Sequence, residues 1–369
     1  MYTIRDVARL ANVSISTASG VINERPTVKE GLRRRVMAAM EALDYHPDTV
    51  ARSLKVRRTH TVGIVVPDVT NPFYPEIMRP MEDVARQSGY SVILCDSSED
   101  CELERSHLST LFSRRVDGVL IAPADPYAVR DRLIRQHIPF VLCDRVPPDF
   151  PGTAVITDNF EATRNAGRYL IGLGHERIAI VTLVARLAGM VDRLEGFRHA
   201  LEEEHLPIRE EYIRGVDPGD LTLQSSYQRC LELMQLPDPP TAIFCGNNRI
   251  TLGVMRALGE LRVPCPERVS VLGFDDFEWA ACFNPRITTI AQPTYEMGKQ
   301  AMQLLIRIME GKKDEVGTEE SRVIVLKSEL RIRDSTVPPC PTPSGKTSGQ
   351  GAVASMAEDS KGLAREPVP

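Results

Sequence analysis

Residues 3–23 read TIRDVARLANVSISTASGVIN, and their spacing predicts two short helices joined by a tight turn. Ile4, Val7, Ala8 and Ala11 share one helical face behind a Thr3-x-x-Asp6 start that can form a capping box. The pattern breaks at Asn12-Val13, and Ser14 can cap a second helix whose inward face is Ala18, Val21 and Ile22. So short a connection forces a steep crossing around small residues, which is helix-turn-helix geometry. Thr27 and Glu30 suggest another capping box, ahead of a third helix lined by Val28, Leu32, Val36, Met40 and Leu43. The second helix then leaves Ile15, Ser16, Thr17, Ser19 and Gly20 exposed. Small hydroxyl side chains are weak helix formers, but they suit a helix N-terminus set against phosphates and base edges. A small helical protein-interaction module accounts for this segment as well.

Charge separates the N-terminal end from the rest. Residues 1–60 hold eleven Lys/Arg against six Asp/Glu, a net +5 within a chain of net −5, so the remainder carries −10. A basic module on an acidic body points to one part that meets a polyanion. With 369 residues, two or three domains are expected, and 42% apolar residues suffice for a large core. No apolar run reaches the ~18 residues a membrane span needs, and MYTIRDVARLANVS has no apolar signal segment. A cytoplasmic protein without a membrane partner is the expectation. The eight cysteines lack CxxC or CxxH spacing; several, such as Cys95 in YSVILC and Cys245 in TAIFC, read as small buried hydrophobes.

From Thr61 onward, apolar runs alternate with helical patterns. VGIVV, YSVILC, DGVLIA and PFVLC are strand candidates, separated by helices over Tyr74–Gln87, Glu102–Arg114 and Ala128–Gln136. IAIVTL, TAIFC and VSVLGF form a second series, separated by Arg193–Glu203, Leu223–Met234 and Thr251–Leu261. Near-continuous apolar strands between helices indicate parallel sheets covered on both faces. Two series imply two doubly wound α/β subdomains, with a ligand cleft at the carboxyl ends of the strands. Phe73 and Tyr74 in NPFY, Asp144 after PFVLC, Asp158 in ITDN, Arg193 in DRLEGF, Asn247 and Asn248 after IFCG, Asp275 in LGFDDF, and Gln292 before Pro293 sit where strands run out. Core aromatics and structural salt bridges explain some of these equally well. The stretch Val184–Val191 carries no ligand pattern.

The N-terminal stretch, followed by TVKEGLRRRVMAAMEALDYHPDTVARSLKVRRTHTVGIVVPDVTNPFY (27–74), closely resembles the lac repressor family, nearest its ribose and purine repressor branch. The resemblance runs to about residue 335. It implies an all-α helix-turn-helix DNA-binding domain (1–47), a hinge helix and linker (48–60), and an effector-binding and dimerisation core (61–335) of the periplasmic-binding-protein type I kind. The last helix, Tyr295–Met309, should then cross back to the first subdomain. The implied partners are double-stranded operator DNA, a second copy of the chain, and a sugar or sugar acid, with a purine-like corepressor as the alternative. No cofactor or metal is implied. By resemblance, Ile15, Ser16 and Gly20 face bases, while Thr3, Thr17, Ser19, Asn23 and Tyr45 meet phosphates. Val50 and Ala51 match positions that pair two hinge helices across the minor groove, and Leu54 matches a leucine wedged into the central base step. Arg193 and Asp275 match the arginine and aspartate of the effector pocket. Two departures matter. TASGVIN stands where the family often has TVSRVLN, so Gly20 offers no side chain for a bidentate guanine contact. Asn247-Asn248 stands where the family often has Asn-Asp.

Other classes fit worse. A Rossmann-type enzyme lacks its G-x-G-x-x-G, a Walker loop is absent, His175-Glu176 has no second histidine for H-E-x-x-H, and no G-x-S-x-G elbow occurs. A transport receptor would share the core but would need a signal peptide and have no use for residues 1–60. Residues 336–369, rich in Pro, Gly and Ser, are expected to be a disordered tail.

Overall fold

The computed structural model describes residues 2–22, 27–45, 58–147, 150–183, 188–216, 223–311 and 322–340. Helices α1 (Ile4–Leu10), α2 (Ile15–Ile22) and α3 (Glu30–Ala42) close a small core of Val7, Ala8, Ala11, Ala18, Val21, Val36 and Ala39. Local chemistry sets their ends. The Thr3 N–H and hydroxyl both donate to Asp6 Oδ2, at 2.9 and 2.8 Å, and Asn12 ends α1 in the left-handed region at φ 50°. Ser14 Oγ accepts from the Thr17 N–H at 3.0 Å, capping α2. Helix α3 departs from the expectation. Its N-cap is Lys29, without a side-chain cap, so Glu30 is the first helical residue and the Thr27–Glu30 capping box is out of register. Arg35 instead reaches from α3 to the α1–α2 turn, donating to the carbonyls of Ala11 and Asn12 at 2.5 and 2.7 Å.

The core holds two six-stranded sheets. The first contains β1 (Thr61–Val66), β2 (Ser91–Asp96), β3 (Gly118–Ile121), β4 (Phe140–Cys143), β5 (Ala154–Thr157) and β11 (Val323–Leu326), in the order β11-β5-β4-β3-β1-β2. All of its pairings are parallel. The second contains β6 (Ile178–Leu183), β7 (Ile213–Val216), β8 (Ala242–Cys245), β9 (Ser270–Phe274), β10 (Thr288–Ala291) and β12 (Glu329–Arg331), ordered β12-β10-β9-β8-β6-β7, with only β12 antiparallel. Helices α4 (Phe73–Gln87), α5 (Cys101–Ser113) and α6 (Pro126–Gln136) belong to the first subdomain. The second has α7 (Asn159–Gly172), α8 (Ala188–Glu203), α9 (Leu223–Met234) and α10 (Asn248–Glu260). The predicted strands are all present: β1, β3, β4, β6, β8 and β9 are buried almost throughout and so are apolar on both faces, whereas β2, at the sheet edge, is only partly buried. Strands β5, β7, β10, β11 and β12 were not among the predicted ones; β7 (IRGV), β10 (TTIA) and β12 (ELR) carry polar residues and show no continuous apolar run, and the inner face of α7 is built on small residues, Ala162, Ala166 and Gly167.

The chain passes between the subdomains after β5, β10 and β11. Helix α11 (Thr294–Glu310) returns to the first subdomain as expected, packing Met302, Leu305 and Met309 against Val62, Ile64 and Leu120. Its far end meets the linker: Arg58 Nη2 donates to the Met309 carbonyl at 2.9 Å. Thr59 is fixed alongside, its N–H on Asp117 Oδ1 at 3.0 Å and its hydroxyl on the Arg115 carbonyl at 2.9 Å. Residue 337, placed in the tail by the sequence reading, is bonded to the core. Ser335 donates to the Val271 carbonyl, the Val337 N–H donates to Ser270 Oγ at 3.1 Å, and buried His175 bonds the Val337 carbonyl at 2.9 Å. This segment satisfies backbone groups at the start of β9, so it is part of the fold; residues 341–369 lie outside the described residues. Cys95, Cys143, Cys230 and Cys245 are buried free thiols, whereas Cys101, Cys282 and Cys340 are exposed.

Glu104 on α5 is 1% exposed, and its carboxylate accepts from the Ala124 N–H at 2.7 Å. Burial outweighs that bond and pushes its pKa from 4.5 to about 7. The folded carboxyl therefore keeps its proton between those values, where the unfolded one has ionised. Stability contributed by this group is greatest below pH 4.5, falls as pH rises through the window, and is level above about 7. Glu104→Gln should flatten this slope, raising the urea midpoint at pH 8 relative to the native chain more than at pH 5. Parallel pH profiles of the two proteins would reject the assignment.

Candidate functional site

A cleft between the subdomains gathers residues from the carboxyl ends of strands in both sheets. After β1, the loop carrying Asp68 and Asn71 leads into Phe73 and Tyr74, the first residues of α4. Their rings meet edge-to-face, with centroids 5.2 Å apart. After β4 comes Asp144, and after the corresponding strand of the second sheet, β9, comes Asp275. Both have left-handed backbone, φ 68° and 75°, a conformation costly for a residue with a Cβ. Such matched strain at two strand ends aims two carboxylates into one cleft.

Arg193, on α8, is 2% exposed. Its Nε donates to Asn159 Oδ1 at 2.8 Å and its Nη1 to the Gly246 carbonyl at 2.6 Å, while the guanidinium lies 3.4 Å over the Phe274 ring. Burial lowers its pKa, opposed by Asp275, Asp144 and Tyr74. An arginine nevertheless remains charged. Asp275 accepts from Gln292 Nε2 at 2.5 Å and from the Asn248 N–H at 3.3 Å. Burial raises its pKa against the pull of Arg193. Asp144 is likewise raised by burial, against Arg145 and Arg193, and accepts from the Tyr74 hydroxyl at 3.1 Å. Arg145 is held by Glu99 in a two-pronged pair at 2.7 and 2.6 Å.

Phe73, Tyr74, Asp144, Arg193, Asn247, Asp275 and Gln292 thus converge as the sequence suggests. Two candidates do other work. Asp158 does not line the cleft; its carboxylate accepts from the Ser328 N–H at 2.8 Å and its own N–H donates to the Leu326 carbonyl, tying two of the interdomain crossings together. Asn248 lies beside the cleft and donates to Asn71 Oδ1 at 2.7 Å. Asn247 lines the cleft, but its side-chain oxygen caps α10 through the Ile250 N–H at 2.9 Å. The sequence reading missed Asp68, Asn71, Glu99, Arg145, Asn159, Arg249 and, within the unreadable stretch, Gly189 and Met190. Arg145 and Asn159 had a signal, since they directly follow Asp144 and Asp158 at strand ends; Glu99 had none.

On the helix-turn-helix unit, Thr3, Ile15 and Ser16 are exposed, and Thr17, Ser19 and Tyr45 are partly so. Gly20 is buried, contrary to expectation. A residue without a side chain offers only backbone surface, and helix packing covers it. Asn23, Val50, Ala51 and Leu54 lie outside the described residues. Among the described residues, no helix is long and apolar enough to cross a membrane, and no three His, Cys, Asp or Glu side chains converge as a metal site.

Residues 3–48 match the bacterial regulatory proteins of the lacI family, and residues 168–336 match a periplasmic binding protein-like domain. The HTH-type transcriptional repressor PurR of Vibrio vulnificus is 34% identical over 91% of this chain and 98% of its own length. The chain belongs to the LacI family. It is a DNA-binding transcriptional repressor under effector control. The ribose operon repressor of Escherichia coli is 36% identical to this LacI-family chain, covering 83% of it and 92% of the relative. A lac repressor dimer bound to operator and the anti-inducer ONPF superposes with TM-score 0.81 at 26% identity, over 91% of this chain and 99% of that one. A LacI-family regulator from Enterococcus faecium with bound ribose gives TM-score 0.65 at 31% identity, over 75% and 99%.

Proposed function

We propose that this repressor binds a neutral sugar, a pentose first, in the cleft, and holds operator DNA as a homodimer through residues 1–60. The observation that carries the effector assignment is the pairing of the cleft arginines. Arg145 is committed to Glu99, Arg249 to Asp68 at 2.6 Å, and Arg193 to Asn159, the Gly246 carbonyl and the field of Asp275. Among the described residues, then, each cleft arginine already has protein partners, which favours a neutral sugar over a sugar acid. Asp144 and Asp275 keep acceptor capacity for hydroxyl groups, since a carboxylate offers about four acceptor sites. The aromatic wall is one-sided: Phe73 and Tyr74 lie on the first subdomain, opposite Leu183 and Met190 among the described lining residues, which suits the apolar face of a sugar ring better than a stacked purine. The bound ribose of the Enterococcus faecium regulator supports the same reading. The site binds without turnover.

Dimerisation is supported by the lac repressor dimer and by size, because one small helix-turn-helix buries too little surface for specific operator affinity. Ile15 and Ser16 would read bases, with Thr3, Thr17, Ser19, Asn23 and Tyr45 on phosphates, Val50 and Ala51 pairing hinge helices, and Leu54 opening the central step. The cleft can speak to this module through α11. That helix begins beside Gln292, which bonds Asp275, and ends at Met309, whose carbonyl holds Arg58. The full chain and a chain beginning at Thr61 should both bind D-ribose by calorimetry more tightly than D-glucuronate or hypoxanthine. Only the full chain should shift an operator selected from a randomised duplex pool. Tighter binding of hypoxanthine or glucuronate would overturn the effector class, and operator binding by the shortened chain would overturn the division of labour.

A further inference from the structure

The first turn of α10 grips the loop after β1 directly across the cleft. Arg249 Nη2 meets Asp68 Oδ2 at 2.6 Å and Thr70 Oγ1 at 2.5 Å. One residue earlier, Asn248 Nδ2 donates to Asn71 Oδ1 at 2.7 Å. Both ends are internally braced. Asp68 Oδ1 accepts from the N–H and hydroxyl of Thr70 at 2.8 and 2.6 Å, and Asn248 Oδ1 accepts from the Arg249 N–H at 2.6 Å. The side chains of Arg249 and Asp68 are only 28% and 17% exposed, so their attraction is less screened than that of a surface pair.

We propose that Arg249 and Asn248, with Asp68, Thr70 and Asn71, form a clasp that closes the cleft and sets how long an effector stays in it. Every bond in the clasp runs from protein to protein. It therefore adds the same closing free energy whatever occupies the cleft, and biases the open–closed equilibrium itself. The clasp also orients Asn71. The Phe73 N–H donates to Asn71 Oδ1 at 3.2 Å, so that atom must be the oxygen, and Asn248 supplies its second donor. The Asn71 amide is thereby fixed in one orientation at the cleft wall. A carboxylate at 248 could not donate to that oxygen.

The clasp concerns the same cleft as the sugar reading and, for residence time, rests on it, but its central test needs no sugar. Trp279, the only tryptophan, follows β9, stacks on Phe277 with centroids 5.7 Å apart, and packs against the core of the first subdomain. It therefore reports opening. In the full chain without ligand, Arg249→Ala should raise acrylamide quenching of Trp279 about twofold by shifting the population toward open. Asn248→Asp should raise it less. With D-ribose as probe, Arg249→Ala should release the sugar about tenfold faster, the size of one charge-assisted bond. The double variant Asp68→Arg/Arg249→Asp should restore native quenching and release. Unchanged quenching in Arg249→Ala overturns the clasp; so does raised quenching that the charge swap fails to restore, since that marks lost packing alone. If D-ribose does not bind the native chain, the sugar reading fails while quenching still decides the clasp.

Discussion

Arg193→Ala should abolish the response to effector while leaving operator binding without effector intact. Arg193 sits at the centre of the cleft, and its removal deletes two charge-assisted bonds, the contact with Phe274, and the countercharge of buried Asp275. Those bonds hold the guanidinium in the cleft, and one charge-assisted bond from it to a sugar hydroxyl is worth about 1.5–3 kcal/mol, so sugar affinity should fall roughly tenfold to a hundredfold. Buried Asp275, left without the pull of Arg193, should also lower folding stability. Asp275→Asn provides the cleaner companion, because it keeps shape while removing the acceptor charge that Gln292 and the Asn248 N–H address. Calorimetry with D-ribose and gel shifts on the same preparations check both variants. Native sugar affinity in a folded Asp275→Asn protein would place the effector elsewhere.

Gly298→Ala should destabilise the chain by about 3 kcal/mol or more and uncouple effector from DNA, a large effect for one methyl group. Helices α4 and α11 approach so closely that a Cβ on Gly298 would overlap the backbone carbonyl of Ile77 and press on Pro80. Backbone cannot rotate aside as a side chain can, so α11 must shift as a body. That shift would be felt at both ends, at Gln292 beside Asp275 and at Met309 under Arg58. Gly259→Ala on α10 is the control. It meets nothing within 4 Å and should be neutral or stabilising by about 0.5–1 kcal/mol through better helix propensity. Equal urea midpoints for the two variants would show that the α4–α11 contact yields more easily than its geometry indicates.

What the sequence determined by itself was everything governed by neighbours in the chain. The Thr3–Asp6 and Ser14–Thr17 caps, the helix break at Asn12, and the apolar runs of the buried strands are written in windows of a few residues. The carboxyl ends of those strands then mark Phe73, Tyr74, Asp144 and Asp275 as cleft residues without any knowledge of their partners. Tertiary structure alone decided which polar groups meet. Arg145 is paired with Glu99, Arg249 with Asp68, and Asn248 with Asn71, at separations of 46 to 181 residues where no periodicity links donor to acceptor. The same ignorance of distant neighbours misplaced Asp158, whose carboxylate braces Ser328 across a crossing, and Gly20, whose backbone is covered by packing that a helical wheel does not represent. Hydrophobic patterning is a property of each element and can be read locally. A hydrogen bond is directional and belongs to two atoms, so it becomes visible only when the fold brings both to the same place.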